Sequence, residues 1–245
     1  MSVKRLAELM EARRPSVVLT GAGISTESGI PDFRSPTGVW AHYDPLEYAT
    51  IDAFLEDPAK VWDFYGKRLA MLDEAQPNDG HRALAELEER GWVSAVVTQN
   101  IDRLHERAGS RELVEVHGSI RTSSCLDCGT IVPFADVVAR LPVPGCPSCG
   151  RILKPDVVMF GELLPEAAIG QALHLAATAG LLLVVGSSLE VYPVAGLPLE
   201  TLAAGGSLAI VNHGSTPFDS RASVTIDGGA GETLRALADA LADRP

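Results

Sequence analysis

The sequence predicts an α/β chain, a doubly wound parallel sheet with a second, smaller domain, on three observations. Apolar runs of strand length alternate with helical segments along most of the chain. Two longer stretches, around residues 35 to 83 and 119 to 152, interrupt that alternation. All four cysteines fall inside the second interruption, as two C-x-x-C pairs. With 245 residues at 46% hydrophobic content, the chain can bury one large core and a small satellite.

In chain order, "SVVLT" reads as a buried strand that leads into a glycine-rich loop. After the first interruption, "RALAELEERG" is a helix closed by Gly91, "VSAVVT" a second strand, and "RLHERAG" a short helix closed by Gly109. "ELVEV" and, past the cysteines, "DVVMF", "GLLLVVG" and "SLAIV" give further strands of the same pattern. "ETLRALADALA" is a terminal amphipathic helix. The run "LAATAGLLLVVG" is too short to span a membrane and reads as a helix end entering a core strand. The first residues carry scattered charge and no continuous apolar segment, so no secretory signal is expected, and a cytoplasmic protein with no membrane partner is. There is no internal repeat or low-complexity segment.

A formal charge of -12 and a pI near 4.9 argue against nonspecific nucleic-acid binding, which needs a basic footprint. A basic peptide is the better long-range partner, although the same acidity also serves solubility alone.

Cys125-x-x-Cys128 and Cys146-x-x-Cys149, with residues 129–145 between them, have the spacing of a tetrahedral zinc site. Redox dithiols or two disulfides are the competing reading and fit a cytosolic chain less well. Four thiolates fill the shell of one zinc ion, so the metal is structural and no cysteine remains as a nucleophile.

The loop "TGAGISTESGIPDFR" carries Gly21 and Gly23 where a dinucleotide turn has them, but Thr26 stands at the third glycine position. Such a loop at a strand end offers backbone N–H groups to a phosphate, and G-A-G is also frequent as a mere turn. Asp32, Phe33 and Arg34 then put a carboxylate, an aromatic face and a guanidinium together, more than a turn requires. "TQNID" follows the second strand, so Gln99, Asn100 and Asp102 project toward the same crevice; Asp102 also suits the N-cap of the next helix. His117, in "VEVHGS", sits at another strand end with Gly118 giving room beside it, and is the natural general base near neutral pH. His81 and His105 read as helix-surface residues, while His42, His174 and His213 show no evident partner.

Taken together, "GAGISTESGIPDFR", "PNDGHRALAELE", "TQNIDRLHERAG", "VHGS", the paired cysteines, "LKPDVVMFGE", "GSSLEVYP", "VNHGST" and "GGAGETLRAL" resemble the sirtuins, the NAD-dependent protein deacylases, in a bacterial or archaeal form. The resemblance runs from about residue 16 to 240. It implies a Rossmann-like NAD-binding domain from 1–34, 84–118 and 153–245, and a small domain from 35–83 and 119–152, a helical lobe and a zinc module. It further implies that Gly21, Ala22, Gly23, Ser25, Asp32, Phe33 and Arg34 form the cofactor loop, with Gln99, Asn100 and Asp102 in the nicotinamide and ribose pocket. Gly186, Ser187, Ser188, Asn212 and Ala230 match contacts to the rest of NAD. His117, Asn100 and Asp102 are the implied catalytic residues. In the implied reaction the acyl oxygen of acyl-lysine attacks C1′ of the nicotinamide ribose, nicotinamide leaves, and the acyl group ends on ADP-ribose. Val157, Phe160, Gly161 and Val191 match the segments that clamp the substrate peptide, although Val157 and Val191 also suit ordinary core strands. Lys154 stands where the family usually has arginine, and Ser187 where threonine is common.

Tyr65 and Arg68 are three residues apart on one helix face and could grip a carboxylate together. They resemble the pair of the sirtuin branch that removes succinyl, malonyl or glutaryl groups. Trp62, Tyr65, Leu69 and Leu72 also form an apolar stripe that would put Tyr65 in the core, and Asp32 stands where that branch often has threonine. A general deacetylase, a sirtuin-type ADP-ribosyltransferase and a catalytically idle nucleotide-binding module are the alternatives. A monomer is compatible with the chain.

Overall fold

A computed structural model describes residues 2–242 and 244. The chain opens with α1 (Val3–Ala12), capped by the Ser2 hydroxyl, and β1 (Ser16–Thr20). A 3-10 turn over Ala22–Ser28 precedes α2 (Pro45–Tyr48), α3 (Ile51–Glu56), α4 (Pro58–Glu74) and α5 (Asp79–Glu89). There follow β2 (Ala95–Thr98), α6 (Leu104–Ala108), β3 (Leu113–Glu115), β4 (Gly118–Cys125), β5 (Ile131–Pro133), α7 (Phe134–Val138) and β6 (Leu153–Val157). The last part is α8 (Glu166–Thr178), β7 (Leu181–Val185), α9 (Leu197–Ala203), β8 (Ser207–Asn212), β9 (Val224–Asp227) and α10 (Ala230–Ala240).

Six strands form one parallel sheet in the order β3-β2-β1-β7-β8-β9. Every residue of β1, β2 and β7 is buried, the pattern of strands covered on both faces. One face packs Val18, Leu183 and Val185 against Leu6, Met10, Leu84, Leu87, Leu234 and Leu237 of α1, α5 and α10. The other packs Leu19, Leu182 and Val184 against Ala172, Ala176 and Leu197 of α8 and α9. The chain winds outward from β1 through β2 to β3, then restarts at β7 on the other side of β1. The switch point therefore lies at the C-terminal ends of β1 and β7, where such sheets open a crevice for ligands.

The second sheet is antiparallel, in the order β5-β4-β6. "DVVMF", expected as a strand of the main pattern, is corrected here: the strand is Leu153–Val157 and it pairs with β4. Pro155 has no N–H to give a central parallel strand but is tolerated at the edge of a small sheet. The helical insertion and this sheet share one core. It joins Phe54, Val61, Trp62, Phe64, Leu69 and Leu72 to Ile120, Leu153 and Met159. The buried Trp62 indole N–H donates to the Leu153 carbonyl at 2.6 Å, tying α4 to β6. Among the described residues no helix is long and apolar enough to cross a membrane.

Candidate active site

A cavity of about 590 Å³ opens at the switch point, a size suited to a cofactor and part of a substrate. Every residue singled out for cofactor, catalysis or substrate lies on its wall. The loops after β1 and β7 supply Gly21, Ala22, Gly23, Ser25, Gly186, Ser187, Ser188 and Val191. Asp32, Phe33 and Arg34 follow from the first loop; Gln99, Asn100, Asp102 and His117 come from the ends of β2 and β3. Asn212 follows from β8, Ala230 begins α10, Tyr65 and Arg68 come from α4, and Val157, Phe160 and Gly161 from β6 and its loop.

The glycines act differently from the expectation. The N–H of Gly21 donates to Val185 (3.1 Å) and that of Gly23 to Gly186 (2.9 Å), so neither is free for a phosphate. A Cβ on Gly21 would meet the Gly186 carbonyl oxygen at 2.7 Å, and one on Gly23 would meet the Gly186 Cα at 2.7 Å. Three glycines thus let two loops interlock, which brings the ends of β1 and β7 together under the cavity. The start of α10 is likewise engaged: the Gly231 N–H donates to Glu27 Oε1 at 2.9 Å.

Ser25 is the hub of the floor. Its hydroxyl donates to Asp102 Oδ2 at 2.7 Å and accepts from Asn100 Nδ2 at 3.1 Å. Asn100 Nδ2 also donates to the Gly21 carbonyl at 3.1 Å. Asp102 Oδ1 accepts the Leu104 N–H at 2.9 Å, so it does serve the helix start, while Arg103, in the left-handed region at φ 65°, holds the cap position itself. Burial raises the Asp102 carboxyl above its ordinary value, and these hydrogen bonds oppose the rise.

His81 and His105 are not surface residues: they are 0% and 2% exposed. His81 closes the capping box of α5 with Asn78 and faces Ser25 at 3.4 Å, while His105 Nε2 meets Thr20 Oγ1 at 3.0 Å. Helical periodicity missed them because α5 and α6 pack on the loops of the site. Burial pushes His81 down to about 4 and His105 well below its ordinary value. His213 also has a partner, Asp227 at 3.5 Å.

His117 Nδ1 lies 3.0 Å from the Gln99 carbonyl, which can only accept. The hydrogen is therefore on Nδ1, and Nε2 keeps its lone pair, with no partner among the described residues. Burial lowers the His117 pKa below its ordinary value, partly offset by this hydrogen bond. Gly118, at φ 74°, is needed because a Cβ there would collide with the Asp156 carbonyl.

Tyr65 joins the core of the smaller part and also faces the cavity. Burial pushes its hydroxyl up to about 12. The Arg68 guanidinium lies over the rings of Phe33 (5.1 Å) and Phe64 (5.5 Å). Desolvation lowers its pKa; the Tyr65 and Tyr43 hydroxyls oppose this, and no carboxylate among the described residues does. Arg34, by contrast, pairs with Glu190 at 2.9 Å. Phe64, Trp40 and Glu162 also line the cavity and escaped the sequence reading; the only signal for them was adjacency to Tyr65, "PDFR" and "FG".

The four cysteine sulfurs lie within 4.8 Å of one another, with Cys125 and Cys149 3.5 Å apart and Cys128 and Cys146 3.6 Å apart. A tetrahedral zinc with bonds of about 2.3 Å spaces its sulfurs by about 3.8 Å, so the cluster fits one structural ion.

With this geometry established, comparison with known proteins is decisive. A profile of the Sir2 family matches residues 21–193. The chain belongs to the Sir2 family. This Sir2 chain is 47% identical over 234 residues to NAD-dependent protein deacylase 2 of Pyrobaculum aerophilum, covering 96% of the chain and 94% of that protein. It is 48% identical over 236 residues to NAD-dependent protein deacetylase 1 of Geobacillus kaustophilus, covering 96% of both. Among solved structures, a Sir2 variant with a deacetylated p53 peptide and 3′-O-acetyl ADP-ribose superposes with a TM-score of 0.94 at 42% identity, covering 98% of each chain.

Proposed function

We propose that the protein is an NAD-dependent protein-lysine deacylase that moves the acyl group of an acylated lysine to ADP-ribose, with a preference for succinyl- and malonyl-lysine. The reading is carried by His117: a neutral imidazole, its hydrogen held on Nδ1 by a backbone carbonyl, with a free lone pair at the cavity. Binding alone does not need a base so placed.

NAD, when bound, would supply a glycosidic bond to a cationic nicotinamide, whose cleavage makes C1′ an electrophile for the oxygen of an otherwise inert amide. The chain's own residues do the rest. The interlocked loops at Gly21, Gly23 and Gly186, with Ser187, Ser188, Asn212 and Ala230, hold the adenosine and phosphate part. Asp32 fixes the closing loop by accepting the N–H groups of Arg34 (2.9 Å) and Ser35 (2.7 Å), so that Phe33 would be held for the nicotinamide end. Gln99, Asn100, Asp102 and Ser25 present a hydrogen-bonded wall to nicotinamide and its ribose. His117 Nε2, with its lone pair free among the described residues, would accept a proton from a hydroxyl of the bound cofactor.

The substrate peptide runs between the Val157–Gly161 segment and Val191, so that its lysine enters between the main sheet and the smaller part. At the far end, Tyr65 and Arg68, which has no carboxylate partner among the described residues, meet the acyl group. A desolvated guanidinium without a carboxylate favours an acyl chain that brings one. The division into 1–34, 84–118 and 153–245 against 35–83 and 119–152 belongs to the same reading, with β6 at the seam, and the compartment is the cytoplasm.

The test is NAD-dependent deacylation of one peptide carrying acetyl-, succinyl- or malonyl-lysine, with His117→Ala in parallel. Turnover that needs both NAD and His117, and is faster on the acidic acyl groups, is expected. Equal or faster acetyl removal would leave a general deacetylase, and turnover surviving His117→Ala would remove the proposed base.

A further inference from the structure

Lys154 lies behind the loop that closes the acyl end of the cavity and is 6% exposed. Its ammonium group is fully partnered. Nζ donates to the carbonyls of Pro155 (3.2 Å) and Val157 (2.9 Å) and lies 2.9 Å from Glu162 Oε2. The same Glu162 oxygen accepts the Met159 N–H at 2.8 Å. The pair therefore straps the turn from Met159 to Glu162. The outer edge of that turn is held by backbone bonds, Phe160 N–H to Ala49 (2.8 Å) and Ile51 N–H to Phe160 (3.0 Å). Glu162 faces the cavity, whereas Lys154 is outside its lining.

The charges at this end are few. Glu162 is the acidic side chain, among the described residues, whose field reaches the Tyr65 hydroxyl. Among the described residues no carboxylate acts on Arg68, only the Tyr65 and Tyr43 hydroxyls, and its guanidinium is flanked by Phe33 and Phe64. One cation thus faces the acyl group, and one anion beside it is countered from behind the wall.

Resting on the acidic-acyl reading above, we infer that Lys154 is a specificity-determining residue: by neutralising Glu162 it leaves Arg68 as the uncompensated charge, and so admits an acyl chain that ends in a carboxylate. Without Lys154, the bare Glu162, whose field reaches the Tyr65 hydroxyl, opposes that carboxylate. At an effective dielectric of about 20, two unit charges on one cavity wall change an equilibrium on the order of 10-fold once solvent screening is counted. An acetyl group carries no charge and is indifferent to the change.

The experiment compares the succinyl-to-acetyl ratio of kcat/KM on one peptide for wild type, Lys154→Met, Lys154→Arg, Glu162→Gln, the Lys154→Met/Glu162→Gln double variant and Arg68→Met. Lys154→Met is expected to lower the ratio about 10-fold, Lys154→Arg to keep it, and Glu162→Gln to raise it roughly threefold. The double variant should return it close to wild type, because both charges are gone. Equal loss on both acyl groups in Lys154→Met would mean that Lys154 only holds the turn, and would overturn the inference. So would a wild type that prefers succinyl through Arg68 while neither Lys154→Met nor Glu162→Gln moves the ratio. A wild type with no acidic preference, indifferent to Arg68→Met, would instead take down the acyl reading and this inference with it. If Lys154→Met does not fold, Glu162→Gln, which keeps the side chain's shape, decides alone: an unchanged ratio refutes the inference.

Discussion

Replacing Arg68 by methionine removes the guanidinium held over Phe33 and Phe64 while keeping an unbranched chain of similar length. Two opposing effects bear on stability. Lost cation–π contact costs about 0.5–1 kcal/mol for each ring at partly exposed sites. Relief of a desolvated charge that no carboxylate compensates gains a comparable amount. The variant should therefore melt within a few degrees of wild type. Catalysis separates the substrates much further. A bidentate, charge-assisted contact with a succinyl carboxylate is worth about 3 kcal/mol in a partly dry cavity, or roughly 100-fold in kcat/KM. Acetyl-lysine makes no such contact and should be processed as well or better. The assay is kcat/KM for nicotinamide release on matched succinyl and acetyl peptides, with thermal melting as control. A parallel fall on both substrates at unchanged stability would refute the carboxylate grip, as would no change on succinyl.

Other consequences concern protons, packing and metal. Because burial lowers His117 below 6.5, the acid limb of kcat/KM should have its midpoint below that value, read from a pH–rate profile. His81, held near 4, takes up fewer protons in the folded chain than in the unfolded one between about pH 4 and 6.5, so stability falls as pH drops through that window. Urea unfolding should lose about 2 kcal/mol between pH 7 and 5 from this residue, and His81→Asn should flatten the slope. Gly186→Ala places a Cβ against Ile24 and Gly23 at φ 61°, and should cost more than about 2 kcal/mol and weaken NAD binding measured by calorimetry. Elemental analysis should find one zinc per chain, and a strong chelator or Cys149→Ser should expose residues 126–150 to proteolysis while the main sheet keeps its far-ultraviolet signal.

The parallel sheet was legible because its strands are short, continuous apolar runs, and periodicity of that kind does not depend on distant contacts. "DVVMF" misled for the same reason: apolar content says strand but not which sheet, and the partner β4 lies more than thirty residues earlier. The cysteine cluster was legible because spacing alone brings each pair of thiolates together. His81 and His105 were not, because helical position predicts exposure only when nothing packs on that side, and here Thr20 at the end of β1 and Ser25 of the loop after it do. Lys154 and Glu162 illustrate the other limit. Their pairing depends on how the turn between them folds back, and sequence spacing does not reveal which carboxylate a buried lysine finds.

The most direct test of the central claim is product stoichiometry. The enzyme is incubated with NAD and a succinyl-lysine peptide, and mass spectrometry quantifies nicotinamide, free-lysine peptide and acyl-ADP-ribose. Equimolar formation of all three, lost in His117→Ala, is what the site predicts. Deacylated peptide with free succinate and no nicotinamide, or ADP-ribose attached to the peptide in place of acyl loss, would contradict it.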